Sequence, residues 1–70
     1  MPFEESTKQV KEGKGMRLPF WSPDVIIRAQ FPDEHSKMTH PYFYAESRYG
    51  RVPWIPTWPE MFNDNWEVVE

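Results

Sequence analysis

Apolar and polar positions follow two different periods along this chain. Between Phe3 and Glu12, Phe3, Thr7, Val10 and Lys11 recur at helical spacing, which predicts a helix with a thin apolar stripe. Glu4 precedes Lys8 by one helical turn, the favourable order for an exposed ion pair. Acids come first and lysines last, in accord with the helix dipole, and Gly13 is placed to end the helix in a left-handed cap.

From Lys14 the period becomes two. Met16, Leu18 and Phe20 alternate with Arg17, Pro19 and Trp21, which predicts a strand with one buried face. Pro19 has no N–H to give to a ladder, so this strand is expected at an edge or with a bulge. Ser22-Pro23-Asp24 reads as a turn. Val25 to Phe31 is the clearest strand, with Val25, Ile27, Ala29 and Phe31 on one face. The segment from Pro32 to Pro41 is polar and without period. Tyr42 to Ser47 predicts a third strand, with Phe43 and Ala45 on the face opposite Tyr42 and Tyr44. Arg48-Tyr49-Gly50-Arg51 reads as a hairpin connection with Gly50 at positive φ, and Val52 to Ile55 as the returning strand.

Thr57-Trp58-Pro59-Glu60 fits a capping box, with threonine as cap, proline in the first turn and glutamate reaching back. Met61 and Phe62 are expected on the buried face of that short helix. Asn63-Asp64-Asn65 ends it, and Trp66 to Val69 closes the chain as a last strand. Links of hairpin length imply antiparallel pairing. The expected architecture is one α+β domain over residues 1–70: a small antiparallel sheet, an N-terminal helix and a short C-terminal helix before the last strand.

Length changes the picture at this point. A chain of 70 residues buries only about 60% of the surface its unfolded form exposes, so a lone monomer is marginal. Disulfides, a structural metal or oligomerisation are the usual remedies. With no cysteine and only His35 and His40, neither a disulfide nor a closed zinc site is available, and self-association is expected. A net charge of −3 argues against long nucleic acid, which needs a cationic surface, yet leaves room for a small anion held by local arginines. No apolar run approaches the roughly 20 residues of a membrane span, and the N-terminus lacks a signal-peptide core. The expected compartment is the cytoplasm. Aromatic residues make up 17%, including four tryptophans, which either fill the small core or offer flat faces to a ring.

Asp33, Glu34, His35 and His40 lie in the aperiodic segment. A metal needs three or four convergent ligands and an acid–base pair needs a shaped cleft, and nothing in the spacing enforces either. The segment reads as a solvated loop. No cofactor, metal or catalytic residue is assigned.

The stretch GRVPWIPTWPEMFNDNWEVVE, from Gly50 to Glu70, resembles the C-terminal signature of the Tad2-like family, the second Thoeris anti-defence family. The shared features are Gly50, Val52-Pro53-Trp54, Pro56-Thr57, the acidic helix Glu60 to Asp64, and Trp66 to Val69. The opening FEESTKQVKEGKGMRLPFW is similar to the family's first helix, Gly-Lys turn, basic strand and tryptophan. The resemblance implies a phage-encoded sponge that binds and holds a cyclic nucleotide immune signal, of cyclic ADP-ribose type or a cyclic dinucleotide, without cleaving it. It would thereby block Thoeris or CBASS effectors in the infected bacterium. It also implies a homotetramer with ligand pockets between subunits. Two positions depart from the family pattern. Trp58 stands where a glutamine is common, and Asn63-Asp64-Asn65-Trp66 replaces Ala-Glu-Asp-Trp, so the ligand is expected to differ.

Such a ligand offers rings, ribose hydroxyls and a pyrophosphate. Trp21 and Trp54 match family tryptophans and are stacking candidates, with core packing as their alternative. Trp58 joins them as the departing position. Thr57 begins a helix, where backbone N–H groups favour an anion, or is simply its cap. Arg17, Arg28 and Arg51 sit on strands within reach of a phosphate, or are solvated charges. Asp64 and Asn65 suit ribose or base edges, or only end the helix. The competing function class is an inhibitor that binds a host protein through its aromatic surface.

Overall fold

The structure, a computed structural model, describes all 70 residues. In chain order the elements are α1 (Phe3–Lys11), β1 (Gly15–Arg17), β2 (Ile26–Gln30), β3 (Tyr42–Ser47), β4 (Gly50–Pro53), α2 (Trp58–Met61) and β5 (Glu67–Val69). The five strands form one sheet in the order β4-β3-β2-β1-β5, and every neighbouring pair is antiparallel. The expected α+β architecture is therefore present.

Helix α1 ends as its sequence indicates. Gly13 takes φ 110°, its N–H donates to the Val10 carbonyl at 3.0 Å, and the Lys14 N–H donates to the Gln9 carbonyl at 3.2 Å. This pair of bonds satisfies two carbonyls that the last turn would leave open. The buried stripe differs from the expected one. Ser6 and Val10 are fully buried, with Phe3 partly so, whereas Lys11 is exposed. Ser6 is tolerated inside because its hydroxyl donates to the Pro2 carbonyl at 3.0 Å. Glu4 and Lys8 form no ion pair.

The position of β1 is a correction. It lies in the interior of the sheet, where Met16 pairs with Ile27 on one side and Val68 on the other. The strand stops at Arg17, so Pro19 falls in the following turn and removes no ladder donor. Alternation stops there too. Leu18 stays in the core, but Phe20 is 74% exposed rather than buried. Phe62 is likewise exposed, because the single turn of α2 buries no residue.

The β3–β4 hairpin forms, but its returning strand is Gly50–Pro53 rather than the expected Val52 to Ile55, because Gly50 and Arg51 already pair with Ser47 and Glu46. Ser47 pairs with Gly50, which takes φ 117°. The ladder runs one bond past β4, where the Trp54 N–H donates to the Phe43 carbonyl at 2.9 Å, and Ile55 is out of the sheet and exposed. Because the Trp54 nitrogen faces β3, strand alternation turns the nitrogen of Pro53 toward solvent. The proline thus removes a donor from the free edge, not from the ladder.

Register places Val68, Met16, Ile27, Ala45 and Val52 in one row on the inner face. Helix α1 lies over β1, β2 and β5 on that side. Val10, Met16, Leu18, Ile27 and Trp66 form the buried core, with Phe3, Trp21, Ala29, Phe43, Ala45 and Trp54 packed against it. The opposite face carries Arg17, Ile26, Arg28, Tyr44 and Glu46, and no other element of the chain covers it. No helix is long and apolar enough to cross a membrane.

Gly15 sits on that outer face, tightly enclosed. A Cβ there would come within 2.5 Å of Ile26 Cγ2 and 3.1 Å of Val69 Cγ2. Both neighbours are β-branched and stiff. Gly15→Ala is therefore expected to destabilise the fold by about 1–3 kcal/mol, the usual cost of overpacking, seen as a lower urea midpoint. An unchanged midpoint would show that β2 and β5 yield without cost.

Candidate functional site

Four of the nine candidate residues sit around the aromatic cluster and the short helix. Trp21 and Trp54 meet edge-to-face, with centroids 6.4 Å apart, and both pack against Trp66 at 5.3 and 6.1 Å. Trp54 also contacts Phe43 at 6.3 Å. Each is half-buried, so each both walls the core and keeps part of its surface exposed. Thr57 is committed to its cap: its N–H donates to Glu60 Oε1 at 2.7 Å, its hydroxyl donates to the same oxygen at 3.0 Å, and the Glu60 N–H donates to the Thr57 hydroxyl at 3.4 Å. The Glu60 carboxylate thus already supplies negative charge where the helix start would attract an anion. Trp58, by contrast, is 73% exposed, and its neighbours Ile55 and Phe62 are exposed as well.

The three candidate arginines are all paired. On the outer face of the sheet, Glu46 receives Arg28 Nε at 3.4 Å and Arg51 Nη2 at 3.8 Å, so one carboxylate draws the two guanidinium groups together. Arg28 also reaches the Glu70 carbonyl at 3.5 Å. Arg17 donates to Glu67 Oε1 at 3.0 Å and to the Trp21 carbonyl at 2.7 Å, which ties the segment after β1 to the sheet. Its Nε is buried without a partner. Asp64 presents its backbone carbonyl to the Met1 nitrogen at 2.9 Å, and the Asn65 N–H donates to Asn63 Oδ1 at 2.7 Å in the turn that ends α2.

No hollow of the single chain gathers these groups. Arg51 lines a shallow depression of about 70 Å³ with Gln30, Tyr42 and Tyr44. Asn65 lines an open one of about 560 Å³ with Phe20 and Glu67. Neither hollow contains a second candidate residue. The structure therefore brings together Trp21 with Trp54, and Arg28 with Arg51, and leaves the two pairs apart. The His35 ring meets Glu34 at 3.4 Å with both side chains solvated, its backbone N–H donates to Asp33 Oδ1 at 2.9 Å, and no group of three His, Asp or Glu side chains is placed to hold a metal.

One interaction escaped the sequence reading altogether. Asp24 accepts from Arg48 three times: from Nε at 3.1 Å, from Nη2 at 3.1 Å and from the backbone N–H at 2.9 Å. The two residues are 24 apart, so no local spacing announces the pair. It clamps the turn before β2 to the β3–β4 hairpin.

A sequence model of the Thoeris anti-defense 2-like domain matches residues 1–69 of the chain. The protein belongs to the Tad2-like family. Membership supports a role in Thoeris anti-defence for this chain. No curated protein matches it. In this Tad2-like chain Trp58, Asp64 and Asn65 are exposed and Asn63 is partly buried.

The Asp24–Arg48 clamp generates a pH prediction. The side-chain hydrogen bonds from Arg48, then its backbone N–H, hold the Asp24 carboxyl well below the usual carboxylate range, and Asp24 in turn raises Arg48. A lowered folded pKa gives stability that is complete above the unfolded value, about pH 4, and is lost as pH falls below it. Asp24→Asn is expected to lower stability at neutral pH and to flatten its decline between pH 4 and the acid limit. Parallel thermal melts across that range test this; superimposable pH profiles for the two proteins would mean the clamp carries no linkage.

Proposed function

We propose that the protein sequesters a cyclic nucleotide immune signal, of cyclic ADP-ribose type or a cyclic dinucleotide, and releases it unchanged. It thereby keeps Thoeris or CBASS effectors inactive in the cytoplasm of an infected bacterium. The observation that carries this reading is the family match over nearly the whole chain. Two structural features support it. The candidate groups are dispersed over the surface of one chain, as expected if the binding pocket is completed by a second copy. The outer face of the sheet and several large apolar side chains, among them Ile55, Trp58 and Phe62, also lack a covering element.

In this reading the protein is a homo-oligomer, a tetramer with the ligand between subunits. Trp58 and the exposed parts of Trp21 and Trp54 stack on rings. Arg51, Arg28 and Arg17 approach the pyrophosphate, exchanging a carboxylate partner for a phosphate. Asp64 and Asn65 meet hydroxyls or base edges, and Thr57 holds the start of the helix that carries Trp58. These groups hold rings and charge in the ground state, and none is assigned a proton-transfer role, so binding without turnover is the outcome they suit. The exposed Trp58 and Tyr49 favour one further reading, an inhibitor that docks on a host protein.

Incubation of the purified protein with a panel of signals, followed by heat denaturation and mass spectrometry, separates these readings. Intact ligand is expected, at no more than one equivalent per site. Product accumulating beyond the number of sites would make the protein an enzyme, and no retained signal would favour the docking inhibitor. Trp58→Ala is expected to weaken signal binding by roughly 1–3 kcal/mol, the scale of an aromatic–base stack, with little change in melting. Trp54→Ala is expected to lower both affinity and melting temperature, because Trp54 also walls the core. Normal binding by Trp58→Ala would move the stack elsewhere.

A further inference from the structure

We infer that the cleft between the end of α1 and the start of β3 is a binding site for a small aromatic anion, a planar ring bearing one phosphate or carboxylate. The cleft has a volume of about 390 Å³, within the range of small-molecule sites. Ala29 and Phe43, both packed on the core, and the half-exposed Phe31 supply apolar surface, Tyr42 adds an aromatic residue, and Lys11 and His40 supply the polar groups. None of the nine residues assigned above lines it, so the inference stands apart from the sequestering reading.

Charge singles this cleft out. The chain has eleven acidic residues, yet none lines the cleft. The other two hollows of comparable or larger size contain Glu67 or Asp24. All four arginines are already engaged with carboxylates, as is Lys14 with Glu70 at 3.7 Å. Lys8, Lys11 and Lys37 are the lysines left without an ion pair, and of these only Lys11 borders a cleft, while the Met1 ammonium is taken up by the Asp64 and Trp66 carbonyls. An unpaired ammonium beside apolar and aromatic surface, with an imidazole on the same rim, matches a ligand with a flat apolar body and one negative group. A neutral ring would leave Lys11 unused, and a bare inorganic anion would leave Phe31 and Phe43 unused.

The test uses the full chain and two probes, adenosine monophosphate for phosphate and indole-3-acetate for carboxylate, followed by two-dimensional NMR. At least one probe is expected to give saturable shifts centred on Lys11, Phe31, His40 and Tyr42, and the tighter of the two identifies the preferred anion. Adenosine and inorganic phosphate should each bind more weakly. Lys11→Met should weaken the better probe by roughly tenfold, the scale of one charge-assisted hydrogen bond. Lys8→Met, which removes an unpaired lysine on the same helix outside the cleft, should change nothing. Phe31→Ala should also weaken binding, while both lysine variants retain the wild-type fold in their spectra. Absence of saturable shifts with both probes, shifts centred elsewhere, or equal effects of the two lysine variants would overturn the inference.

Discussion

The fold depends on the burial of one indole. Trp66 is 1% exposed, touches Phe3, Trp21 and Trp54 ring to ring, and donates its Nε1–H to the Glu60 carbonyl at 2.9 Å. Its backbone N–H donates to the Met1 carbonyl at 3.1 Å. One residue thus joins the first helix, the segment after β1, the segment after β4 and the short helix. Burying a side chain of this size is worth on the order of 4–6 kcal/mol by area, an upper figure, set against a typical net stability of about 5–15 kcal/mol. With so few other buried side chains, the tryptophans do the work that several aliphatic layers do in a larger domain.

That constraint shapes what is left for binding. Trp21 and Trp54 serve the cluster and the surface together, so a ligand that stacks on either acts directly on the packing around Trp66. Ligand binding and stability are then linked through the same rings. The arginines have a similar double use. Glu46 draws Arg28 and Arg51 together on a face that nothing else covers, and Arg17 fixes the segment that carries Trp21. Of these pairs Arg51 with Glu46 is the most exposed, at 70% for the arginine, and contributes little to stability, whereas Arg17 and Arg28 are largely covered.

What was legible in the sequence was what is decided locally. The Gly13 cap, the Thr57–Glu60 capping box, the span Tyr42–Ser47 and the positive φ of Gly50 each depend on a few adjacent residues, and each is present. The errors come from contacts between distant segments. Pro19 pointed to an edge strand, but the chain's last strand pairs with β1 before the proline is reached. Thr7 and Lys11 fit a helical period as well as Ser6 does, and only the packing of α1 on the sheet selects Ser6. The Asp24–Arg48 clamp has no short-range signature at all. The candidate site was legible only as residue types and a family signature, and the single chain brings together just Trp21 with Trp54 and Arg28 with Arg51.

If the protein holds its ligand one-for-one, as proposed, it must be abundant, unlike a catalyst, and abundance tests solubility. An open sheet invites strands of other copies to add at its ends. Here β4 is exposed along its whole length, but it is only four residues long, carries the charge of Arg51, and has lost at Pro53 one of the few outward donors on which a new strand could register. At the other end β5 is three residues long, bracketed by Glu67 and Glu70. Copies meeting edge to edge gain few hydrogen bonds and meet charge. The edges are thereby a poor place for copies to add by backbone pairing, which would propagate without limit, and any association is left to side chains on the faces of the sheet.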